Sequence, residues 1–281
     1  MKDKITGVIV TRNRAKDLNE CLQSLVNQTQ LPDKVLIVNN NSEDDTSKVV
    51  KSFSDGLRIK EVIEEKIGYS HAYNRGLTES KTKWVVYIDD DCVAEKNWFE
   101  QVNKAVNKFK SKNKITAILG KSENYYDKNI YACAFQYGND LWREENLDSK
   151  GNLLSYEILD SRNIVYNTKL LYDNDIHFDT KLVYGSEDSD LGLQIQAKGL
   201  KAVYNPKIIV CHKEPNTLKH FLLRKKTYKK SNELFRNLKK YKKVEKKEIT
   251  AIKKLEIFKE ATKKLNIAQK PGTATLIKFL G

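Results

Sequence analysis

Three adjacent carboxylates, Asp89, Asp90 and Asp91, close an apolar run of Trp84, Val85, Val86, Tyr87 and Ile88. Neighbouring carboxylates repel one another unless a cation or a set of donors neutralises them. Hard oxygen ligands of this kind suit Mg2+ or Mn2+, above all where substrate phosphates complete the shell. A second group, Glu187, Asp188 and Asp190, crowds three acids into four residues. Such crowding pushes one pKa upward and is a mark of functional sites. His212 ends a further apolar run, Ile208 to Cys211. Plainer readings stand beside these: an acidic turn opening the next helix, a dipole partner or N-cap at Asp190, and a satisfied strand-end histidine.

Elements of regular structure must carry these groups. Ile5–Val10 reads as a strand and ends in Thr11-Arg12-Asn13-Arg14. Apolar residues at 18, 21, 22, 25 and 26 then recur at helical spacing, and Leu31-Pro32 breaks the pattern. Val35–Val38 is a second strand, ending in Asn39-Asn40-Asn41-Ser42, and Asp44 or Asp45 opens a helix through Val50. Leu57–Ile63 is a third strand, and a helix follows from about Ser70 to Thr78. The run at 84–88, apolar on every residue, fits a strand buried on both faces. Strand and helix alternating through short polar loops predict a doubly wound, mostly parallel α/β sheet with helices on both faces. Right-handed crossovers bring the loops at 11–14, 39–42 and 89–91 to one edge, the layout of a nucleotide pocket. Neither GxGxxG nor GxxxxGK[ST] occurs, so a metal on the aspartates, helped by Arg12, Arg14 or Arg75, is expected to hold phosphates.

Within 281 residues, 40% of them hydrophobic, the chain can bury a sizeable core. No apolar run approaches the roughly 18 residues that cross a bilayer, and no signal peptide is visible before the first strand, so none is expected. The four cysteines are widely spaced and form no CxxC, which points to reduced thiols and a cytoplasmic setting. The net charge of +14 is unevenly placed: residues 1–212 carry −1 and residues 213–281 carry +15.

Val8–Arg14, Ile37–Ser42 and Ile88–Asp91, taken in order, resemble glycosyltransferase family 2 with the GT-A fold, a Rossmann-like sheet. Gly68–Gly76 is similar to the family's segment ending in Asn-Arg-Gly, and Gly185–Gln194 to its Glu-Asp-x-Asp-Leu segment. Val203–Pro206 and Val210–His212 resemble its closing strand and histidine. The resemblance covers residues 5 to about 212. It implies an inverting, metal-dependent transfer of sugar from a UDP-, dTDP- or other nucleoside-diphosphate donor to a glycan, lipid-linked glycan or other hydroxyl. Residues 1–212 would form the transferase domain, with 1–120 binding the nucleotide-sugar and 121–212 the acceptor. Thr11 and Asn39 would lie against the base and Asp89 against the ribose, with Arg14, Asn74, Arg75 and Asp90 also on the donor side. Asp91 and His212 would hold Mn2+ or Mg2+. Asp188 would be the general base and Glu187 would orient the acceptor. Where Asn39 stands the family often has Asp, which leaves the choice of base open; Asn39 also reads as a plain turn residue.

The aromatic crowd at 121–160, Tyr125, Tyr126, Tyr131, Phe135, Tyr137 and Trp142, fits either an acceptor surface or a core-covering insertion. From Leu218 the basic tail, 213–281, reads as an amphipathic helical appendage. It suits an anionic membrane surface on the inner face of the cell membrane. Nucleic acid and mere solubility are its other readings, and no nucleic-acid partner is expected. Two rival functions remain, a metal-dependent nucleotidyltransferase and a non-catalytic nucleic-acid-binding protein. The first lacks its Gly-rich loop, and the second leaves both acidic groups unexplained.

Overall fold

The computed structural model describes residues 4–183 and 185–238. The Lys239–Lys243 run and the apolar tip at 276–280 lie outside the described residues. Eight strands and eight α-helices follow in chain order among the described residues: β1 Ile5–Thr11, α1 Ala15–Val26, β2 Lys34–Asn39, α2 Thr46–Ser52, β3 Ile59–Ile63, α3 Tyr69–Ser80, β4 Trp84–Ile88, β5 Cys92–Ala94, α4 Trp98–Phe109, β6 Ile115–Asn124, α5 Ile130–Glu145, β7 Asn163–Asn167, α6 Thr168–Asp173, α7 Glu187–Ala197, β8 Lys201–His212 and α8 Leu218–Asn237. A 3-10 turn, Tyr156–Ile158, precedes β7.

The chain divides into two compact units. The first, Met1–Glu123 with Asn146–His212, holds the sheet, in the order β3-β2-β1-β4-β7-β6-β8-β5. β3, β2, β1 and β4 are parallel, and β7 runs antiparallel to both β4 and β6. The parallel half follows directly from the apolar runs. In β2, Val35 and Ile37 pack with one core and Leu36 and Val38 with the other. In β4, Trp84, Val86 and Ile88 face the first core, and Val85 and Tyr87 the second. Successive side chains point to opposite faces, so every residue must be apolar when helices cover both. The first core takes α1 and α4 and the second α3 and α7. Each fully buried large apolar side chain contributes roughly 1.5–3 kcal/mol against exposure.

Two close approaches fix where α7 sits. A Cβ on Gly192 would lie 1.8 Å from the Tyr156 carbonyl oxygen, so only glycine lets α7 meet the 3-10 turn. Gly68, at φ 138°, would place a Cβ 2.5 Å from a Val183 methyl. Just beside it, Tyr69 N–H and the Ser70 hydroxyl donate to the carbonyls of Val183 and Leu182. The N-terminus of α3 therefore holds the segment that leads into α7.

The second unit comprises Asn124–Glu145 and Lys213–Gly281. Within it, Phe135 of α5 meets Phe221 of α8 at 5.9 Å between ring centroids and Tyr228 at 5.8 Å. Phe135 is therefore part of helix packing, whereas Tyr125 and Trp142 are exposed.

Candidate functional site

β1 lies between β2 and β4, so the connections leave it in opposite directions and a crevice opens at the carboxyl ends. Thr11 closes β1 opposite Asn39 of β2. Asp89–Asp91 follow β4 in a tight turn closed by Cys92 N–H donating to the Asp89 carbonyl. The residues after it do not open a helix. Cys92–Ala94 forms a short strand against the end of β8, with Cys92 opposite His212. That register delivers a histidine from over a hundred residues away to the acidic turn. Its Nε2 lies 3.2 Å from Asp91 Oδ1. One ligand atom each from Asp89, Asp91 and His212 falls within 4.8 Å of the others.

The triplet is already partly neutralised. Arg14 Nη1 lies 2.9 Å from Asp90 and 2.7 Å from Asp91, and the Thr11 hydroxyl donates to Asp90 at 2.7 Å. Burial works against the Arg14 charge, but Asp90 and Asp91 outweigh it and hold the guanidinium protonated. Burial, only partly offset by Arg14, pushes Asp90 up to about 7. Asp89 rises to about 6, first through loss of solvation and then through the charges of Asp91 and Asp160. The Tyr73 hydroxyl donates to Asp89 at 3.0 Å. Arg162 pairs with Asp160 at 2.7 Å and meets His212 Nδ1 at 3.3 Å. An arginine only donates, so in this contact Nδ1 accepts.

The donor set fits a hard divalent cation: two carboxylates with an imidazole beside them, at the mouth of a crevice. Asp89 and Asp91 are suited to it directly. His212 would join them through Nε2 in the tautomer that carries its proton on Nδ1.

The second acidic group opens α7. Ser186, at φ 64°, occupies the N-cap position, and Glu187, Asp188 and Asp190 fill the first turn, where a helix dipole favours negative charge. Asp190 is fully buried and accepts from the Gln194 amide at 2.7 Å, a role internal to the helix. Asp188 accepts its neighbour's N–H from Ser189 at 2.7 Å and a longer one from Ser161 at 3.4 Å. Burial first, and then Asp160, push it up to about 7. Glu187 is buried, and burial with the Asp188 charge holds it well above the usual carboxylate range. Asp89 adds to the rise at both residues, so the two acidic groups feel each other across the crevice.

Thr11, Arg14, Asp89, Asp90, Asp91 and His212 are thus brought into contact, with Glu187 and Asp188 nearby. Asn74 and Arg75 point to other partners. Asn74 donates to and accepts from the Phe178 backbone, clamping the segment before α7. Arg75 pairs with Glu79 on its own helix at 3.3 Å. Asn39 is buried, with Nδ2 donating to Glu61 and Oδ1 accepting from Ser42 N–H. Tyr73, Asp160, Arg162 and Glu61 escaped the reading of the sequence. Tyr73 lies within the Gly68–Gly76 segment but carried no assigned role, and the other three sit in ordinary loop and strand patterns, marked by their partners in space.

The sequence profile of the family described as "Glycosyl transferase family 2" matches residues 6–159. The glycosyltransferase GlyA of Streptococcus pneumoniae serotype 4 is 31% identical over 105 residues, which is 37% of this chain and 15% of that protein. The 4,4'-diaponeurosporenoate glycosyltransferase of Staphylococcus aureus is 31% identical over 91 residues, 31% of this chain and 24% of that protein. The aligned segments thus span a third or less of these relatives' own lengths. Among solved structures, the Pyrobaculum calidifontis mannosyltransferase PcManGT, in complex with GDP-Man and Mn2+, superposes with TM-score 0.61 at 18% identity, covering 99% of this chain and 79% of that one. S. aureus TarS 1-349 in complex with UDP-GlcNAc gives TM-score 0.59 at 17% identity, covering 97% and 75%. These two likenesses show the GT-A fold.

Proposed function

This chain belongs to glycosyl transferase family 2, and from that premise we propose that it moves a sugar, with inversion, from a nucleoside-diphosphate donor to a hydroxyl of a glycan or lipid-linked glycan. The observation that carries this reading is the meeting of Asp89, Asp91 and His212 within 4.8 Å at the carboxyl ends of the parallel strands. Mn2+ or Mg2+ at those residues would neutralise the charge that grows on the departing diphosphate. Complexes of the structural neighbours with UDP-GlcNAc and with GDP-Man and Mn2+ support that kind of donor and metal.

On this reading, residues 1–212 carry the chemistry, with the donor in the half up to residue 120 and the acceptor in the half beyond it. Thr11 and Asn39 lie at the base end and Asp89 near the ribose. Arg14 holds Asp90 and Asp91 at a low cost in repulsion until the diphosphate arrives and then turns to it; Asn74 and Arg75 support the same side. Glu187 orients the acceptor hydroxyl and Asp188 takes its proton. Asp188 comes from α7 and the leaving-group residues from the turn after β4, so deprotonation and departure fall to separate elements, an arrangement compatible with inversion. A thermal-shift screen of nucleotide-sugars with Mn2+ tests the proposal. A stabilised complex with at least one nucleoside-diphosphate sugar is expected. No shift with any of them, with or without metal, would remove the donor site.

Among the described residues no helix is long and apolar enough to cross a membrane. α8 exposes Leu218, Leu222, Leu223 and Leu234 between lysines and arginines. Interleaving of this kind suits an anionic leaflet, where each basic residue contributes about 1 kcal/mol at most. The tail, 213–281, is accordingly read as a peripheral anchor on the inner face of the cell membrane. The full chain is expected to cosediment with phosphatidylglycerol vesicles and not with phosphatidylcholine ones, and to come off in high salt. Equal binding to both, or to neither, would remove the anchor.

A further inference from the structure

The end of β2 carries an amide, and a carboxylate reaches it from the next strand. Glu61 lies on β3, paired in register with Ile37, while Asn39 ends β2. Asn39 Nδ2 donates to Glu61 Oε1 at 2.8 Å, and the Ser47 hydroxyl of α2 donates to the same oxygen at 2.7 Å. On its other side Asn39 Oδ1 accepts Ser42 N–H at 2.9 Å. A carboxylate only accepts and a backbone N–H only donates, so the orientation of this amide is fixed twice over. Asn39 is 2% exposed, and both its polar ends are committed to the protein. Glu61 is half-buried, and its two side-chain donors share one oxygen, Oε1. Its second oxygen takes neither of these bonds, which leaves it as the acceptor that this half-buried carboxylate can offer a ligand near the end of β2.

We propose that Glu61, held by Asn39 and Ser47, is the residue that reads the donor's nucleobase, selecting bases that present a ring N–H. The proposal rests on the donor-site reading above and assigns its base recognition to a different strand. A carboxylate oxygen accepts a hydrogen bond and cannot donate one. It suits the N3–H of uracil or the N1–H of guanine, and it repels the ring acceptors of cytosine and adenine at the same place. Leaving two buried or half-buried acceptors face to face is strongly unfavourable, so discrimination of about tenfold or more follows from the pairing rule alone. Asn39 and Ser47 are positioning residues in this scheme. Each fixes one oxygen of Glu61 so that the other keeps a constant direction.

The test is calorimetric titration of UDP, CDP, GDP and ADP into the full chain with Mn2+, with melting temperatures measured in parallel. The wild type is expected to bind UDP or GDP about tenfold or more above its partner CDP or ADP. Glu61→Gln keeps the shape but can turn a donor outward, and is expected to cut that ratio below about threefold while binding stays metal-dependent. Asn39→Asp alone sets two carboxylates at hydrogen-bonding distance and is expected to lower both the melting temperature and the affinity. The exchange variant Asn39→Asp/Glu61→Gln restores one carboxylate and one amide, and is expected to regain stability and the base preference. An unchanged preference in Glu61→Gln, or an Asn39→Asp protein as stable and as tight as wild type, overturns the inference and leaves the donor site standing. Failure of the wild type to bind any of the four nucleotides overturns the donor-site reading, and this inference falls with it.

Discussion

Asp188→Asn is expected to lower sugar transfer on the order of 10²–10⁴-fold while donor binding stays within about twofold. The substitution keeps the side chain's size and its acceptance of Ser189 N–H, but removes the capacity to take a proton. Asp188 accepts its hydrogen bonds from Ser161 and Ser189, away from the acidic turn, and its link to Asp89 is one of charge alone, so the effect on donor binding should be small. Its pH dependence adds a second reading. Burial and the charge of Asp160 push the carboxyl up to about 7. A base must be ionised to act, so wild-type activity should rise with pH through an apparent value at or below about 7, since a bound cation would draw it down. In Asp188→Asn that acidic limb should vanish from the residual rate. Single-turnover transfer measured at several pH values, beside calorimetry of the donor, checks both points. Full activity in the variant would assign the proton to another group.

The parts of this site that the sequence revealed are those encoded over short distances. The strands β1, β2 and β4 were legible because burial on both faces demands unbroken apolar runs, and Asp89–Asp91 because polar residues end such a run abruptly. A helix opening at Asp190 was legible too, although it begins at Glu187 and its N-cap is Ser186 in a left-handed conformation. What did not show is pairing between distant segments. Cys92–Ala94 is too short for periodicity to mark as a strand, yet its register with β8 places His212 at Asp91. Similarly, β7 runs antiparallel to β4 with Asn163 opposite Ile88, which sets Arg162 beside the acidic turn. Asn39 read either as a turn residue or as a base contact, because Glu61, 22 positions on, gives no local sign of being its partner. The aromatic crowd at 121–160 had no clean period because its members divide between a helix interface and solvent.

Asp91→Asn should abolish the metal dependence of nucleoside-diphosphate binding and weaken that binding on the order of a hundredfold or more, given that losing even an outer-shell partner costs about 10- to 100-fold in metal affinity. Asp91 sits between Arg14 at 2.7 Å and His212 at 3.2 Å, so one carboxylate serves two neighbours and, on the proposed reading, the cation as well. The amide retains a neutral oxygen for either neighbour but not the charge. The comparison that isolates the metal is Arg14→Gln. That change removes a positive charge from Asp90 and Asp91, so it should strengthen the pull of the site on Mn2+ alone while weakening the hold on the diphosphate. The two variants therefore move Mn2+ affinity in opposite directions, which a general loosening of the crevice would not do. Titration of Mn2+ followed by the nucleotide, repeated in EDTA, measures each step. Tight, EDTA-insensitive nucleotide binding in Asp91→Asn would place the diphosphate on the protein's cations, Arg14 foremost, rather than on a metal.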